Sequence, residues 1–297
     1  MKKPSRRVPR VTAIIPTFNW STVLNCSIGS VLDQTFEDFE LLVIGDGCTD
    51  NSEEVVASFA TRDERVRWIN LPQHSGSQVG PNNEGLRQAE GEFIAYLGHD
   101  DLWLPRHLEL LVSTMAAPVT GQTTSLDGPA MTHGRVVLVN PDREPFVFPH
   151  SSWSYLPPQW IPPTSSLHRA SALQRIGGWR SHGSTGTLDP ETDLCARVAK
   201  EFGPPVLVPH LTSVKLPAGY RKNVYRTRPN HEQTAWLSRI RESTDPEAEL
   251  ERLCGEPDVP GPGGGDPATL LEPVMRSSVT AEERYRILRH FKGLDPP

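Results

Sequence analysis

The chain is poor in cysteine, in long apolar runs and in net positive charge, and each shortage removes a class of protein. Its four cysteines, Cys26, Cys48, Cys195 and Cys254, stand too far apart for a C-x-x-C metal pair, and nothing in their spacing suggests a secreted disulfide framework. Reduced thiols in a cytoplasmic protein are the expectation. No stretch approaches the roughly eighteen apolar residues of a membrane-spanning helix. The opening MKKPSRRVPR carries the charge of a signal peptide, but only VTAIIP follows before polar residues, too short for an apolar core. The expectation is a chain without a transmembrane segment, with peripheral membrane contact through Lys2, Lys3, Arg6, Arg7 and Arg10 left open. A formal charge of -6 argues against nucleic acid as a partner, because that needs a basic face to neutralise phosphates. A pocket for a single diphosphate is compatible with it. Apolar residues at 36% are sparse and 29 prolines are many, so much of the chain is expected as irregular loop.

What is present is concentrated at the start. VTAIIP at 11–16 and FELLVIG at 39–45 are β-branched, apolar runs that predict buried strands, VRWI at 66–69 a third, and EFIAYL at 92–97 a fourth. Between them, helices are predicted from Ser21 as cap to about Gln34, from an Asp50–Glu53 capping pair to about Ala60, and from about Gln78 to Ala89. Alternating strands and helices imply an α/β, doubly wound, mixed but mostly parallel sheet with helices on both faces, whose ligands bind at the strands' carboxyl ends. That rule selects the segments PTFN, GDGCTDN and GHDD. Further on, a strand is expected at 135–139, an aromatic, proline-rich loop at 141–163, helices at 169–175 and 189–201, and a short strand at 206–208. From about His231 the composition turns charged. Helical pieces at 231–241, 245–253 and 280–291 flank GEPDVPGPGGGDP, and the tail is expected to pack weakly or to meet a partner, such as a second copy of the chain.

Asp100 and Asp101 follow the fourth strand, where hard carboxylate oxygens suit Mg2+ or Mn2+ held jointly with a ligand's phosphates. The plainer reading is that Asp101 caps a helix opening at Leu102. Asp46, between two glycines, either accepts hydrogen bonds from a base or ribose or makes an Asx-turn. Thr17 and Asn19 offer polar contacts and Phe18 a stacking face, unless PTFN is only a turn.

Together these segments resemble the family 2 glycosyltransferases of the GT-A fold. Those enzymes show a first strand ending P-x-F/Y-N, a second ending in an aspartate-rich turn, an N-x-G element and a D-x-D-like motif after the fourth strand. Here the matches are Pro16 to Asn19, Asp46 to Asp50, Asn83-Glu84-Gly85 and His99-Asp100-Asp101, in order over residues 10–112. Gly98 departs from the pattern where many relatives carry the first aspartate, and Asn82 where an arginine is common. The resemblance implies inverting, metal-assisted sugar transfer from a nucleotide-diphosphate donor, most often a UDP-sugar, to a glycan, lipid-linked or small-molecule acceptor hydroxyl, in polysaccharide or glycoconjugate biosynthesis. It implies a donor site of Pro16, Thr17, Phe18, Asn19, Asp46, Asn83 and Asp100, and a metal on Asp101 assisted by Asp100.

It also implies a catalytic base at the start of a helix in the second half. Aligning Leu194 and Arg197 puts Glu191 there, with Asp193 and then Asp189 as alternatives. The same acids suit an ordinary helix start, since Asp189 caps, Pro190 fits the first turn, and acidic residues there favour the helix dipole. Trp160 and Trp179 are candidate walls for an acceptor sugar, or core tryptophans. His168, His210 and Lys215 are placed to approach the diphosphate from later loops, and residues 215–228, with Tyr220, Arg221 and Lys222, to close over it. The expected division is a transferase domain at 10–230, split into a donor half (10–112) and an acceptor half (113–230), followed by the tail at 231–297. A catalytically silent nucleotide-sugar binder of the same fold is the competing reading, while a nicotinamide enzyme lacks G-x-G-x-x-G after its first strand.

Overall fold

The computed structural model describes residues 8–117, 126, 128–150, 153–254 and 280–294. The first half alternates strictly: β1 (Val11–Thr17), α1 (Ser21–Leu32), β2 (Phe39–Gly45), α2 (Ser52–Ala60), β3 (Val66–Asn70), α3 (Val79–Gln88) and β4 (Phe93–Tyr96). Alternate residues of these strands fall into two different cores. Ala13, Ile15, Leu41 and Val43 join α1 residues Leu24, Ile28 and Val31, whereas Ile14, Leu42, Ile44 and Ile94 join α3 residues Val79 and Leu86. Both faces are therefore covered by helix, as a continuous apolar run in a parallel strand requires. Gly85 is what lets α3 lie on the sheet, because a Cβ there would stand 2.7 Å from a methyl carbon of Ile14.

The second half extends the sheet. After β5 (Leu102–Trp103) and α4 (His107–Met115) come β6 (Met131–Leu138), β7 (Phe146–Phe148), β8 (Ser166–Arg169), α5 (Ala170–Arg175), α6 (Pro190–Phe202) and β9 (Val206–Lys215). The order is β3-β2-β1-β4-β8-β6-β9-β5, with β7 beside β6. Strands β1 to β4 pair in parallel, while β8 joins both β4 and β6 in antiparallel sense, and β6 and β9 again run parallel. The sheet is mixed as expected, with its parallel character confined largely to the first half.

Several local expectations change. Ser21 does not cap α1. Trp20 holds that position without a side-chain bond, and the Ser21 N–H donates instead to the Asp50 carboxylate at 3.0 Å. Asp50 also accepts from the Ser52 N–H and hydroxyl (3.2 and 2.6 Å), so one carboxylate serves the first turns of two helices, and Glu53 takes no part as a cap. No helix opens at Leu102, which begins β5 against β9, so Asp101 is not a helix cap. β9 is ten residues long rather than a three-residue strand.

The tail is the largest correction. α7 (Val224–Thr227) leads into α8 (His231–Glu242), α9 (Pro246–Cys254) and, beyond the undescribed stretch holding GEPDVPGPGGGDP, α10 (Ala281–Lys292). α8 lies along α1: Leu237 and Ile240 are buried, and Arg241 pairs with Asp33 at 2.8 Å. α9 sends Glu247 to the His210 ring and the Leu211 N–H (2.8 and 3.2 Å) and Glu251 to the buried Arg135 at 2.5 Å. These contacts make the tail part of the domain rather than a loosely packed appendage. No described helix is long and apolar enough to cross a membrane.

If α8 is integral, Leu237→Ala lowers the unfolding free energy by about 2–4 kcal/mol, the range for a buried leucine. Urea denaturation measures this, and a change within about 0.5 kcal/mol, typical of a surface site, would return the helix to a weakly held tail.

Candidate active site

The carboxyl ends of β1, β2 and β4 open on one cavity of about 640 Å3. At the end of β1, Pro16, Thr17 and Phe18 line it. Phe18 stacks on His74 with ring centroids 3.8 Å apart. The same histidine holds Asp46 at the end of β2, its Nδ1 lying 2.8 Å from one carboxylate oxygen, while the Ser75 N–H donates to the other at 2.8 Å. Burial works to raise the Asp46 pKa, but the His74 and Ser75 hydrogen bonds outweigh it and hold the carboxyl below its usual value. Asp46 is thus an ionised, fixed acceptor at the cavity edge, and the Asx-turn reading does not describe it. His74, which the sequence reading missed, is its partner.

Thr17 leads into a buried polar chain. Its hydroxyl lies 3.1 Å from His99 Nδ1, and His99 Nε2 lies 3.2 Å from the Tyr225 hydroxyl. Burial lowers the His99 pKa despite the charges of Asp100 and Asp101, so the ring is neutral, with one nitrogen donating and the other accepting. α7 is thereby tied to the loop after β4. Asn19 lies elsewhere. With φ at 45° it turns its side chain to accept from the Thr49 and Asp50 N–H groups (2.7 and 3.2 Å), stapling the first two loops together rather than lining the cavity.

The two aspartates after β4 part company. Asp101 is completely buried: one oxygen accepts from the Leu216 N–H at 2.9 Å, the other from Lys215 Nζ at 2.9 Å and from the Thr164 hydroxyl. It is absent from the cavity lining. Burial opposes the Lys215 charge, but Asp101 and Asp100 prevail and keep the ammonium above its ordinary pKa. Asp100 and Gly98 do line the cavity. Gly98 is required there, because a Cβ would stand 2.6 Å from an Asp101 oxygen and 3.1 Å from one of Asp100. Burial, then the Asp101 charge, raises the Asp100 pKa, against the opposing effects of His99 and Lys215. The donor set fits a hard divalent ion: one carboxylate at an open cradle, with no three His, Cys, Asp or Glu side chains converging among the described residues, so phosphates and water would supply the remaining ligands. The expected order is inverted, since Asp100 faces the cavity and Asp101 braces the loop behind it.

Opposite lies the start of α6. Asp189, Glu191 and Thr192 line the cavity, and Gln78 donates to Glu191 at 2.5 Å. Asp189 is raised in pKa by burial and by the neighbouring Glu191 charge, with Arg284 3.5 Å away opposing. Asp193 does not reach the cavity. It pairs with Arg197 at 2.7 Å, and Arg197 also holds the carbonyls of Ile176 and Gly178 (2.9 and 2.7 Å), clasping the glycine turn before Trp179. Trp179 is core, packed edge-on against Tyr96 at 5.2 Å, and Asn83 brackets its backbone as both donor and acceptor (3.0 and 2.9 Å). Neither Trp179 nor Asn83 lines the cavity, whereas Trp160 does. His168 is sealed beside Ser166 with its pKa lowered by burial to about 3, and His210 meets Glu247 on the outside. Lys215 and Tyr220 do line the cavity, while Arg221 is anchored to Glu232 at 2.7 Å. The helix expected at 280–291 is present as α10, but nothing in the sequence pointed to its Arg284, Tyr285, Leu288 and Lys292 as part of the cavity wall, which they complete. No motif marks them. They are brought in only by the return of the chain from residue 280.

Residues 12–131 match the family described as Glycosyl transferase family 2. The chain is 37% identical over 105 residues to the UDP-Glc:alpha-D-GlcNAc-diphosphoundecaprenol beta-1,3-glucosyltransferase WfgD of Escherichia coli, a match covering 35% of this chain and 40% of that protein. A Campylobacter jejuni relative, GalNAc(5)-diNAcBac-PP-undecaprenol beta-1,3-glucosyltransferase, is 33% identical over 105 residues, covering 35% of this chain and 34% of its own length. The chain thus spans well under half of these relatives. In fold it is similar to the mannosyltransferase PcManGT of Pyrobaculum calidifontis, solved with GDP-Man and Mn2+ (TM-score 0.54, 18% identity, 99% of this chain and 91% of that one). It is also similar to S. aureus TarS 1-349 with UDP-GlcNAc (TM-score 0.53, 16% identity, 95% and 71%). These likenesses bear out the α/β, GT-A architecture.

Asp46 yields a pH test. Its folded pKa lies below the unfolded value, so its stabilisation is fully present above the unfolded pKa and is lost as pH falls through the folded one. Asp46→Asn should cost about 1–3 kcal/mol at pH 7, and urea melts at descending pH should show the difference from wild type shrinking. A difference independent of pH would refute the ionised acceptor.

Proposed function

From the match of residues 12–131 to the family 2 glycosyltransferases, we propose that the chain transfers a sugar from a nucleotide-diphosphate donor to an acceptor hydroxyl, with inversion. The observation that carries this is one cavity lined by Thr17, Phe18, Asp46 and Asp100 at the strand ends and by the Asp189 and Glu191 carboxylates at the start of α6. On the donor side, the fixed Asp46 carboxylate accepts from a base or ribose, and the Phe18–His74 stack offers a flat face beside it. UDP-sugar is the proposed donor, as in the printed name of the Escherichia coli relative; the guanosine donor of PcManGT is the alternative to test against.

Asp100 is the residue proposed to hold Mg2+ or Mn2+, with Asp101 fixing the loop through Lys215 and Leu216. When bound, such an ion stabilises the negative charge of a departing diphosphate. Glu191, oriented by Gln78, is the proposed base. It takes the proton of the acceptor hydroxyl as that oxygen forms the new bond to the anomeric carbon, and the bond from that carbon to the diphosphate oxygen breaks with its electron pair leaving on the nucleotide. Attack opposite the leaving group inverts the anomeric centre. Trp160 at the cavity wall offers an apolar face to an acceptor sugar, and the names of both curated relatives favour a lipid-diphosphate-linked glycan as that acceptor. Asp193, engaged with Arg197, is proposed as structural.

Thermal melts with UDP, GDP and dTDP, with and without Mn2+, identify the nucleotide, since a ligand of the native state raises its apparent stability. Asp100→Asn should abolish the Mn2+-dependent part of the shift and leave the rest; an unchanged Mn2+ response removes Asp100 from the metal. With the donor known, Glu191→Gln should lower kcat by roughly 10²–10⁴-fold while sparing donor binding. A comparable loss in Asp189→Asn alone would transfer the role of base to that residue, and inactivity of folded wild type with every donor would favour the silent binder.

A further inference from the structure

α10 returns from outside the sheet to the mouth of the cavity and ties together three of its loops. Arg289 donates to the Gly76 carbonyl at 2.7 Å, beside the Asp46 loop. Tyr285 stacks on His182 with centroids 3.9 Å apart, before α6, and the Asn223 N–H donates to the Phe291 carbonyl at 2.8 Å, before α7. The helix begins with a reciprocal Thr280–Glu283 cap and ends at Gly293, whose φ of 78° stops it. These bonds fix the last turn in place, and the last turn carries Lys292.

Lys292 is half-buried and lines the cavity. Its stem crosses the 218–220 turn, Cε lying 3.9 Å from where a Cβ on Gly219 would stand. No hydrogen bond or ion pair engages its ammonium among the described residues. Lys215, the other lysine of the cavity, is by contrast committed to Asp101 at 2.9 Å. Burial lowers the Lys292 pKa, against the charges of Asp100 and then Glu191. A lysine serving only the helix dipole would stand in solvent, as the exposed His290 of the same turn does. A partly buried ammonium with no direct hydrogen-bond or ion-pair partner is better satisfied when an anion completes the site.

We propose that Lys292 binds the diphosphate of the nucleotide donor, so that the C-terminal helix, and not the strand-end loops alone, completes the donor site. This rests on the function proposed above. The ammonium contributes a point charge with rotatable donors to the phosphate oxygens. It also links donor binding to the seating of α10, because the same helix holds the Gly76 and His182 loops.

Calorimetric titration of full-length protein with UDP and uridine, and with GDP and guanosine, in Mn2+ and again in EDTA, tests the assignment. In Lys292→Met the affinity for whichever diphosphate wild type prefers should fall roughly tenfold or more, the scale of a charge-assisted hydrogen bond. Affinity for the matching nucleoside should stay unchanged, and Lys292→Arg should recover most of the loss. Equal diphosphate affinity in wild type and Lys292→Met overturns the inference while leaving the glycosyltransferase reading intact. So does a parallel loss for diphosphate and nucleoside, which would make Lys292 a packing residue. Wild type that binds neither diphosphate overturns the donor-binding reading and this inference with it.

Discussion

The buried Asp101 carboxylate is the constraint on which the site depends. It follows β4 in the first half of the chain, yet its partners are Lys215 and Leu216 at the end of β9 and Thr164 before β8. A fully buried charge is tolerable only when paired and hydrogen-bonded, and removing one partner of such a pair costs about 3–5 kcal/mol. The two halves of the sheet are therefore locked at the point where their strand ends meet. Gly98 and Asp100 take their positions from that lock: the glycine because any side chain would strike the carboxylates, the aspartate because its neighbour has turned inward.

The loops around this joint are held by polar side chains used as staples. Asn19 and Asp50 bind backbone N–H groups across the first two loops, Asn83 brackets Trp179, and Arg197 draws Asp193 and the Gly178 carbonyl together. Each satisfies backbone groups that a loop near the interior would otherwise leave unpaired. None of these residues lines the cavity, and they hold in place the loops that do.

The cavity carries both signs of charge. Lys215, Arg284 and Lys292 line it together with Asp100, Asp189 and Glu191. Asp46 stands apart, ionised by its hydrogen bonds to His74 and Ser75.

The fold of the first half was written in the sequence, because parallel strands buried on both faces leave unmistakable apolar runs and the turns between them are short. The strand-end rule then found Thr17, Phe18, Asp46 and Asp100, all of which line the cavity. What local pattern could not decide was which of two adjacent acids faces inward. Asp100 from Asp101, and Glu191 from Asp193, were separated only by partners more than a hundred residues away in one case and four in the other, Lys215 and Arg197. Trp160 and Trp179 look alike in sequence and differ by which core reaches them. The tail shows the limit most clearly. Its helices were legible from charge and capping residues, but a charged helix reads as solvent-facing until something packs on it, and the apolar face of α8 and the lysine of α10 acquire meaning only against the sheet they close.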